Sequence, residues 1–284
     1  MDKLIEFAYD QNLPLDIKDE TKPQHRMGTA VRDISFSNAL GGRVAAYLIL
    51  PPPEIKPPYA GMVWAHWLEP ESHDSNRTQF LDEAVELSTQ GVVSILPDGF
   101  WSTSPKRWAE KPVFWWKTEA KHDTELSARQ VVEIRRALDA LLAQDGVDAK
   151  RIGYVGHDFG GMYGTLIAGV DKRPKFYALM AVTTTFSEWF MFGSKLSAED
   201  QQTYIKAMAP LDPIKYVAKA APASMFFQFA HADYFVPERT AQMYFDAASE
   251  PKEIKWYDAG HDVKHDEARP DRMRWVRQQL GLNS

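Results

Sequence analysis

The sequence predicts an α/β fold, a mainly parallel sheet with helices on both faces, built as one domain over residues 1–284. Three observations lead there. Strand-like and helix-like segments alternate along most of the chain, which implies right-handed crossovers. The 284 residues are 44% hydrophobic and 25% charged, enough to bury a sizeable core. No repeat or low-complexity stretch interrupts them. Pro51, Pro52, Pro53, Pro57 and Pro58 read as a stiff loop, because strand-like segments flank them closely.

Each element has its own signal. Residues 43–50 (Arg-Val-Ala-Ala-Tyr-Leu-Ile-Leu) read as a strand, and the short apolar runs 61–65 and 91–96 as buried strands. Residues 79–88 carry helical spacing in Phe80, Leu81, Ala84, Val85 and Leu87. A stronger amphipathic pattern covers 125–142, with Leu126, Val131, Val132, Ile134, Leu138, Leu141 and Leu142. Strand 151–155 precedes helix 160–170. Strands 176–182, 224–229 and 253–257 follow, with helices 239–248 and 271–280. The first strands have no clear helix between them, so the sheet is expected to start as an antiparallel hairpin. Ligands of such sheets bind beyond the carboxyl ends of the strands. Chemistry is therefore sought just after each strand.

Composition narrows the function classes. The net charge is −6 with no basic block, so neither nucleic acid nor an anionic membrane surface is an expected partner. There is no cysteine, which excludes disulfides, thiolate nucleophiles and Cys-type zinc sites. The first residues hold no apolar run of signal-peptide type, and no stretch approaches the ~20 apolar residues of a membrane span. The expectation is a cytoplasmic protein with a small-molecule substrate and no cofactor. A homodimer is compatible with the sequence, which does not set the oligomeric state.

After the strand that ends at Tyr154-Val155 comes Gly156-His157-Asp158-Phe159-Gly160-Gly161, and then a helix. Glycines permit a sharp turn that lifts one side chain to the head of the helix, where free N–H groups favour negative charge. Taken alone, this is also what a glycine-rich turn with an N-cap aspartate looks like. In its strand–turn–helix setting it resembles the nucleophile elbow of the α/β-hydrolase superfamily. Serine is the usual nucleophile there. The aspartate version resembles haloalkane dehalogenases and soluble epoxide hydrolases.

Superfamily order is nucleophile, acid, histidine. Asp233-Tyr234-Phe235-Val236-Pro237 after strand 224–229 resembles the acid loop, and Gly260-His261 after strand 253–257 resembles the histidine loop. The resemblance thus implies the triad Asp158, His261, Asp233. Asp258 and His265 are the rival residues. His261 and His265, four apart, also have the spacing of helical metal ligands, but they lie in a loop, and no metal site is expected. The resemblance further implies an oxyanion hole from the Phe159 amide and a second amide in His66-Trp67-Leu68-Glu69-Pro70, where the donor is either Trp67 or Leu68. His66, Trp101, Trp115, Trp116 and Trp189 are candidate pocket residues, with Trp108, Phe114 and the run 186–192 as further aromatics near them. No tyrosine pair stands out as the proton donors of an epoxide hydrolase, with Tyr163, Tyr204 and Tyr234 as the available tyrosines.

A carboxylate with a reference pKa of ~3.9 is ionised at neutral pH. It would attack an sp³ carbon, and His261 would then activate water to cleave the resulting aspartyl ester. Two features depart from that branch. Residues 183–210 leave room only for a short cap, and the body resembles dienelactone hydrolases and acetyl-xylan-esterase-like hydrolases. An ester or lactone hydrolase with Asp158 as a general base is therefore an alternative. A non-catalytic binding protein is another.

Overall fold

The computed structural model describes residues 5, 7–69, 72, 75–102 and 117–282. The chain opens with strands β1 (Lys18–Asp19), β2 (Gln24–Arg26), β3 (Thr29–Ser37), β4 (Arg43–Leu50) and β5 (Tyr59–Ala65). Helix α1 (Leu81–Ser88), β6 (Val92–Pro97), α2 (Ala120–Leu142), β7 (Val147–His157), α3 (Phe159–Val170) and β8 (Phe176–Met180) follow. Next come α4 (Ser187–Phe190), α5 (Ala198–Met208), a 3-10 turn (Ala209–Leu211) and α6 (Ile214–Val217). The chain closes with β9 (Ser224–Ala230), α7 (Glu238–Ala247), β10 (Lys252–Tyr257) and α8 (Ala268–Leu280).

Ten strands form one sheet in the order β1-β3-β4-β6-β5-β7-β8-β9-β10, with β2 on β3. Pairing is parallel from β6 through β10 and antiparallel among β1–β4 and between β4 and β6. The expected opening hairpin is corrected here. Strand β4 pairs with β3 and β6, while β5 lies between β6 and β7. The true hairpin partner is β3, a segment with no apolar run of its own.

Both faces of the parallel strands are covered, which is why they read as continuous apolar runs. Alternate side chains enter different cores. Val63, Ile95, Ile152 and Leu179 pack with Leu138 and Leu141 of α2 and Met162 and Leu166 of α3. Met62, Leu96, Val155 and Ala178 pack with Ala84 and Leu87 of α1 and Met273 and Val276 of α8.

Helix α2 starts five residues before its apolar pattern does, because a polar residue organises its first turn. Asp123 is fully buried and accepts from the Lys117 amide at 2.9 Å, the Glu119 amide at 3.2 Å and the Tyr204 hydroxyl at 2.7 Å. That last bond ties α5, within 183–210, to the body. Among the described residues no helix is long and apolar enough to cross a membrane.

The elbow between β7 and α3 is set by close backbone contact. A Cβ on Gly160 would lie 2.1 Å from the Ala65 carbonyl oxygen at the end of β5. No side chain can yield there, since the obstacle is backbone. Gly160→Ala is expected to lower stability by about 2 kcal/mol or more, toward the upper range of overpacking costs. Thermal and urea unfolding of the variant beside the parent will measure it.

Candidate active site

Asp158 sits between β7 and α3 with φ 52° and ψ −119°. Such a conformation costs a non-glycine residue about 1–3 kcal/mol and persists only where the surroundings impose it. Here its amide donates to the Met180 carbonyl at 2.9 Å and its carbonyl accepts from Met162 at 2.8 Å. The side chain is fully buried. Its Oδ2 accepts the Leu68 N–H at 2.9 Å, and the Phe159 amide favours the charged carboxylate. Oδ1 is buried with no hydrogen-bond partner.

The loop after β5 has both its peptide units clamped. The carbonyl of His66 accepts the Trp101 indole N–H at 3.2 Å, and the Trp67 N–H of that same peptide donates to Gln79 Oε1 at 2.9 Å. The Trp67 carbonyl lies 2.9 Å from His66 Nδ1, which must therefore carry the proton. The N–H of this second, planar unit is that of Leu68, directed at Asp158. The alternatives for the second amide donor thus separate: Leu68 reaches Asp158, and the Trp67 amide is committed to Gln79.

His66 is corrected from pocket residue to buried clamp. Its Nε2 accepts the Gly99 amide at 3.0 Å, so both ring nitrogens are used, and burial pushes its pKa down. Trp101 is corrected likewise. It is buried against Phe159 and Tyr163, with ring centroids 5.4 Å from each, and its indole N–H is spent on His66. Trp115, Trp116, Trp108 and Phe114 lie outside the described residues.

Asp233 and His261 meet as their loops suggest. Asp233 Oδ1 accepts the amides of Phe235 at 2.8 Å and Val236 at 3.0 Å, and Oδ2 lies 2.9 Å from His261 Nδ1. The rival His265 instead accepts the Glu267 amide and packs on Tyr257. His261 Nε2 is buried and has no hydrogen-bond partner. Trp189, Phe235 and Trp67 surround the ring, with centroids 5.2, 5.1 and 6.3 Å away. Trp189 also packs on Phe159 at 5.7 Å, so it touches both halves of the site.

The tyrosines are placed differently from a proton-donor pair. Tyr163 donates to Ser127 Oγ at 2.9 Å, Tyr204 donates to Asp123, and Tyr234 is 80% exposed. A cavity of about 1050 Å³ opens beside His261 but is not lined by Asp158, and the buried Glu83–Arg272 ion pair contributes to its wall. It touches the histidine without reaching Asp158, so it is not the place where a substrate would meet both. Among the described residues no group of three or more His, Asp and Glu side chains could hold a metal ion. Two polar residues with no sequence signal belong to the site's frame: Gln79 and His157. Their hydrogen bonds run to ring nitrogens and backbone, which no motif displays.

Electrostatics alters one expectation. Burial pushes the Asp158 carboxyl up to about 7, against the opposing pull of His261 and the Leu68 and Phe159 amides. Aspartate here is not ionised merely by its type. Burial acts to lower the His261 pKa, but the Asp233 hydrogen bond and the charges of Asp158 and Asp233 outweigh it and raise the value. Ionised Asp158 and protonated His261 therefore support each other. The linkage has a definite sign. The folded-state value of Asp158 lies above the unfolded value of 3.8. Its cost to stability is absent at low pH, grows from about pH 4 to about pH 7, and is constant above that. Asp158→Asn is expected to stabilise the fold above pH 7 by up to about 4 kcal/mol, at about 1.4 kcal/mol per pH unit. Chemical unfolding at several pH values will show the gap closing toward pH 4.

Known proteins supply the wider setting. The prolyl oligopeptidase family matches residues 116–281, more than half of the chain, with Asp158, Asp233 and His261 inside the match. No curated protein sequence matches the chain. Solved structures do. The acetyl xylan esterase from Paenibacillus sp. R4 is 18% identical with a TM-score of 0.72, covering 93% of this chain and 89% of its own. Acetyl xylan esterase 1 from Thermoanaerobacterium sp. JW/SL YS485 is 13% identical with a TM-score of 0.73, covering 98% and 92%. The esterase domain of a Rhodothermus marinus protein is 19% identical with a TM-score of 0.57, covering 88% and 96%. At such identities these likenesses speak for the fold. Together with the matched family they make the chain a hydrolase of the α/β-hydrolase superfamily: it belongs to the prolyl oligopeptidase family.

Proposed function

We propose that the chain hydrolyses a small, largely apolar electrophile through a covalent ester on Asp158. One observation carries this reading: Asp158 places Oδ2 on the Leu68 amide and leaves Oδ1 without a partner. Oδ1 attacks an sp³ carbon and the leaving group departs with the bonding electrons. Water, deprotonated by His261, then attacks Cγ of the ester; the tetrahedral intermediate breaks its Cγ–Oδ1 bond, and the product leaves as an alcohol that carries Oδ1 and takes the proton back from His261. The negative charge of that step develops on Oδ2, which the Leu68 amide already holds, so that donor needs no reorganisation, and the Phe159 amide that favours the charged carboxylate is the second donor. Ester formation also discharges Asp158. His261 loses one of the charges that raised its pKa and becomes a readier neutral base for water.

The surroundings narrow the leaving group. An epoxide needs its alkoxide protonated, and Tyr163 and Tyr204 are engaged elsewhere. A leaving group that departs as a stable anion, such as halide, suits the site better. The buried Trp67 indole N–H beside His261 has no partner and is a donor such an anion could use.

A second reading is ester or lactone hydrolysis, with Asp158 as general base. The comparisons favour it over the first, since the similar structures named above are acetyl xylan esterases and an esterase domain. The site geometry favours it less, because a substrate carbonyl would have to displace Asp158 from the amides.

Isotope labelling separates the two. After several turnovers of an active substrate in ¹⁸O-water, the peptide containing Asp158 is expected to carry the label by mass spectrometry. A haloalkane, epoxide and aryl-ester panel supplies the substrate. Label confined to product, with aryl-ester turnover lost in Asp158→Ala, would establish the second reading instead. Turnover unaffected by Asp158→Ala removes Asp158 from the chemistry, and binding without turnover across the panel points to a non-catalytic role. Because ionised Asp158 is the attacking form, kcat/KM is expected to rise with pH through about 7. A pH–rate profile flat between pH 5 and pH 9 contradicts it.

A further inference from the structure

We propose that His157 and Gln79 are paired positioning residues, which hold the amide loop and the histidine loop in register through a one-way chain of hydrogen bonds that requires His157 to be neutral.

The chain can be traced donor by donor. The Trp67 N–H can only donate, so the atom it meets on Gln79, 2.9 Å away, must be Oε1. That orients the amide and directs Gln79 Nε2, which also can only donate, at His157 Nδ1, 2.7 Å away. Nδ1 must therefore be an acceptor. On the other side of the ring, His157 Nε2 lies 2.9 Å from the backbone carbonyl of His261, which can only accept. The imidazole thus carries one proton, on Nε2. A second proton on Nδ1 would face the Gln79 amide hydrogens. Rotating that amide to relieve the clash would break the bond to Trp67.

The surroundings agree. His157 is fully buried and its ring stacks on Trp67, centroids 4.8 Å apart and nearly parallel at 7°. Burial, then the nearby His261 and Arg272 charges, push its pKa well down, partly opposed by the bond to the His261 carbonyl. The ring of His261 also lies against that of His157, centroids 5.8 Å apart. The consequence is positional. One end of the chain holds the peptide just before the Leu68 amide that Asp158 uses. The other holds the backbone of the base itself. Gln79 and His157 touch neither reacting atom, yet they span the distance between amide donor and base.

The proposal concerns Asp158 and His261 as the reacting pair and so rests on the reading above, but its first test needs no turnover. Long-range ¹H–¹⁵N spectra of the histidines across about pH 5.5–8.5, the range in which histidines titrate, are expected to show His157 as a non-titrating Nε2–H tautomer. His66, with its proton on Nδ1, serves as the internal contrast. His157→Phe keeps a stacking ring but breaks both bonds, and should move the His261 midpoint by at least about half a pH unit. Its amide can donate to the His261 carbonyl and accept from Gln79, so His157→Gln should restore the parent midpoint. Gln79→Met gives the same disconnection as His157→Phe and stands in for it if that variant does not fold. In turnover assays the two disconnecting variants should lose at least tenfold in kcat with little change in KM, and His157→Gln should recover most of it. A titrating His157, a proton on its Nδ1, or an unmoved His261 midpoint in the disconnected variants overturns the proposal. An inactive parent enzyme would strike the proposed function and leave the spectroscopic result standing.

Discussion

The hydrogen bond from the Leu68 amide to Asp158 Oδ2 joins two strand ends 90 residues apart in sequence, and the other features of the site are arranged around it. Its geometry needs the sharp elbow, which needs Gly160 in place of any residue with a Cβ. It needs a fixed peptide plane at 67–68, which His66 secures through the Trp67 carbonyl. It also needs a buried carboxyl group, whose burial is what moves the acid from an ordinary aspartate toward neutrality. Strain in the backbone at Asp158 is tolerated because β8, α3 and the β5 loop all constrain the same residue.

The protonation of two groups is coupled in this arrangement. Asp158 and His261 each shift the other toward the charged form, and Asp233 is held ready by two backbone amides. Two further histidines border the site but are held neutral by opposite tautomers, His66 with its proton on Nδ1 and His157 with its proton on Nε2. Among His66, His157 and His261, only His261 has a ring nitrogen left without a partner. That asymmetry sets His261 apart without reference to any motif.

Much of the fold is legible in the sequence, for physical reasons that also explain the failures. Strand β4 alternates cleanly and its limits are read correctly, while β3 is obscured because Arg32, Asp33 and Ser35 interrupt its apolar positions. The start of α2 is hidden because its first turn is organised by a buried aspartate and not by apolar spacing. Asp158, Asp233 and His261 can be picked out because strand ends and turn glycines mark their places. The sequence does not distinguish Trp101 from Trp189. One is locked in an aromatic stack and the other lies on the base, and only three-dimensional packing separates them. Gln79 and His157 are silent for the same reason, since their partners are each other and two backbone atoms far off in sequence. The pKa of Asp158 belongs to this class too, because it comes from burial, which a residue's type does not report.

The seating of Asp158 also bears on what the amide pair is. A loop amide beside a helix head forms a general receptor for a carboxylate. In a serine-type site such a receptor is vacant at rest and receives its oxygen from outside. Here the receptor's guest is part of the chain, tethered by a single methylene. The aspartate behaves as a built-in occupant, the equivalent of an acid product that never dissociates. A shorter residue at position 158 would leave that receptor open to free small carboxylates. The difference between the two kinds of hydrolase site is then a question of whether the anion in the hole is a visitor or a resident.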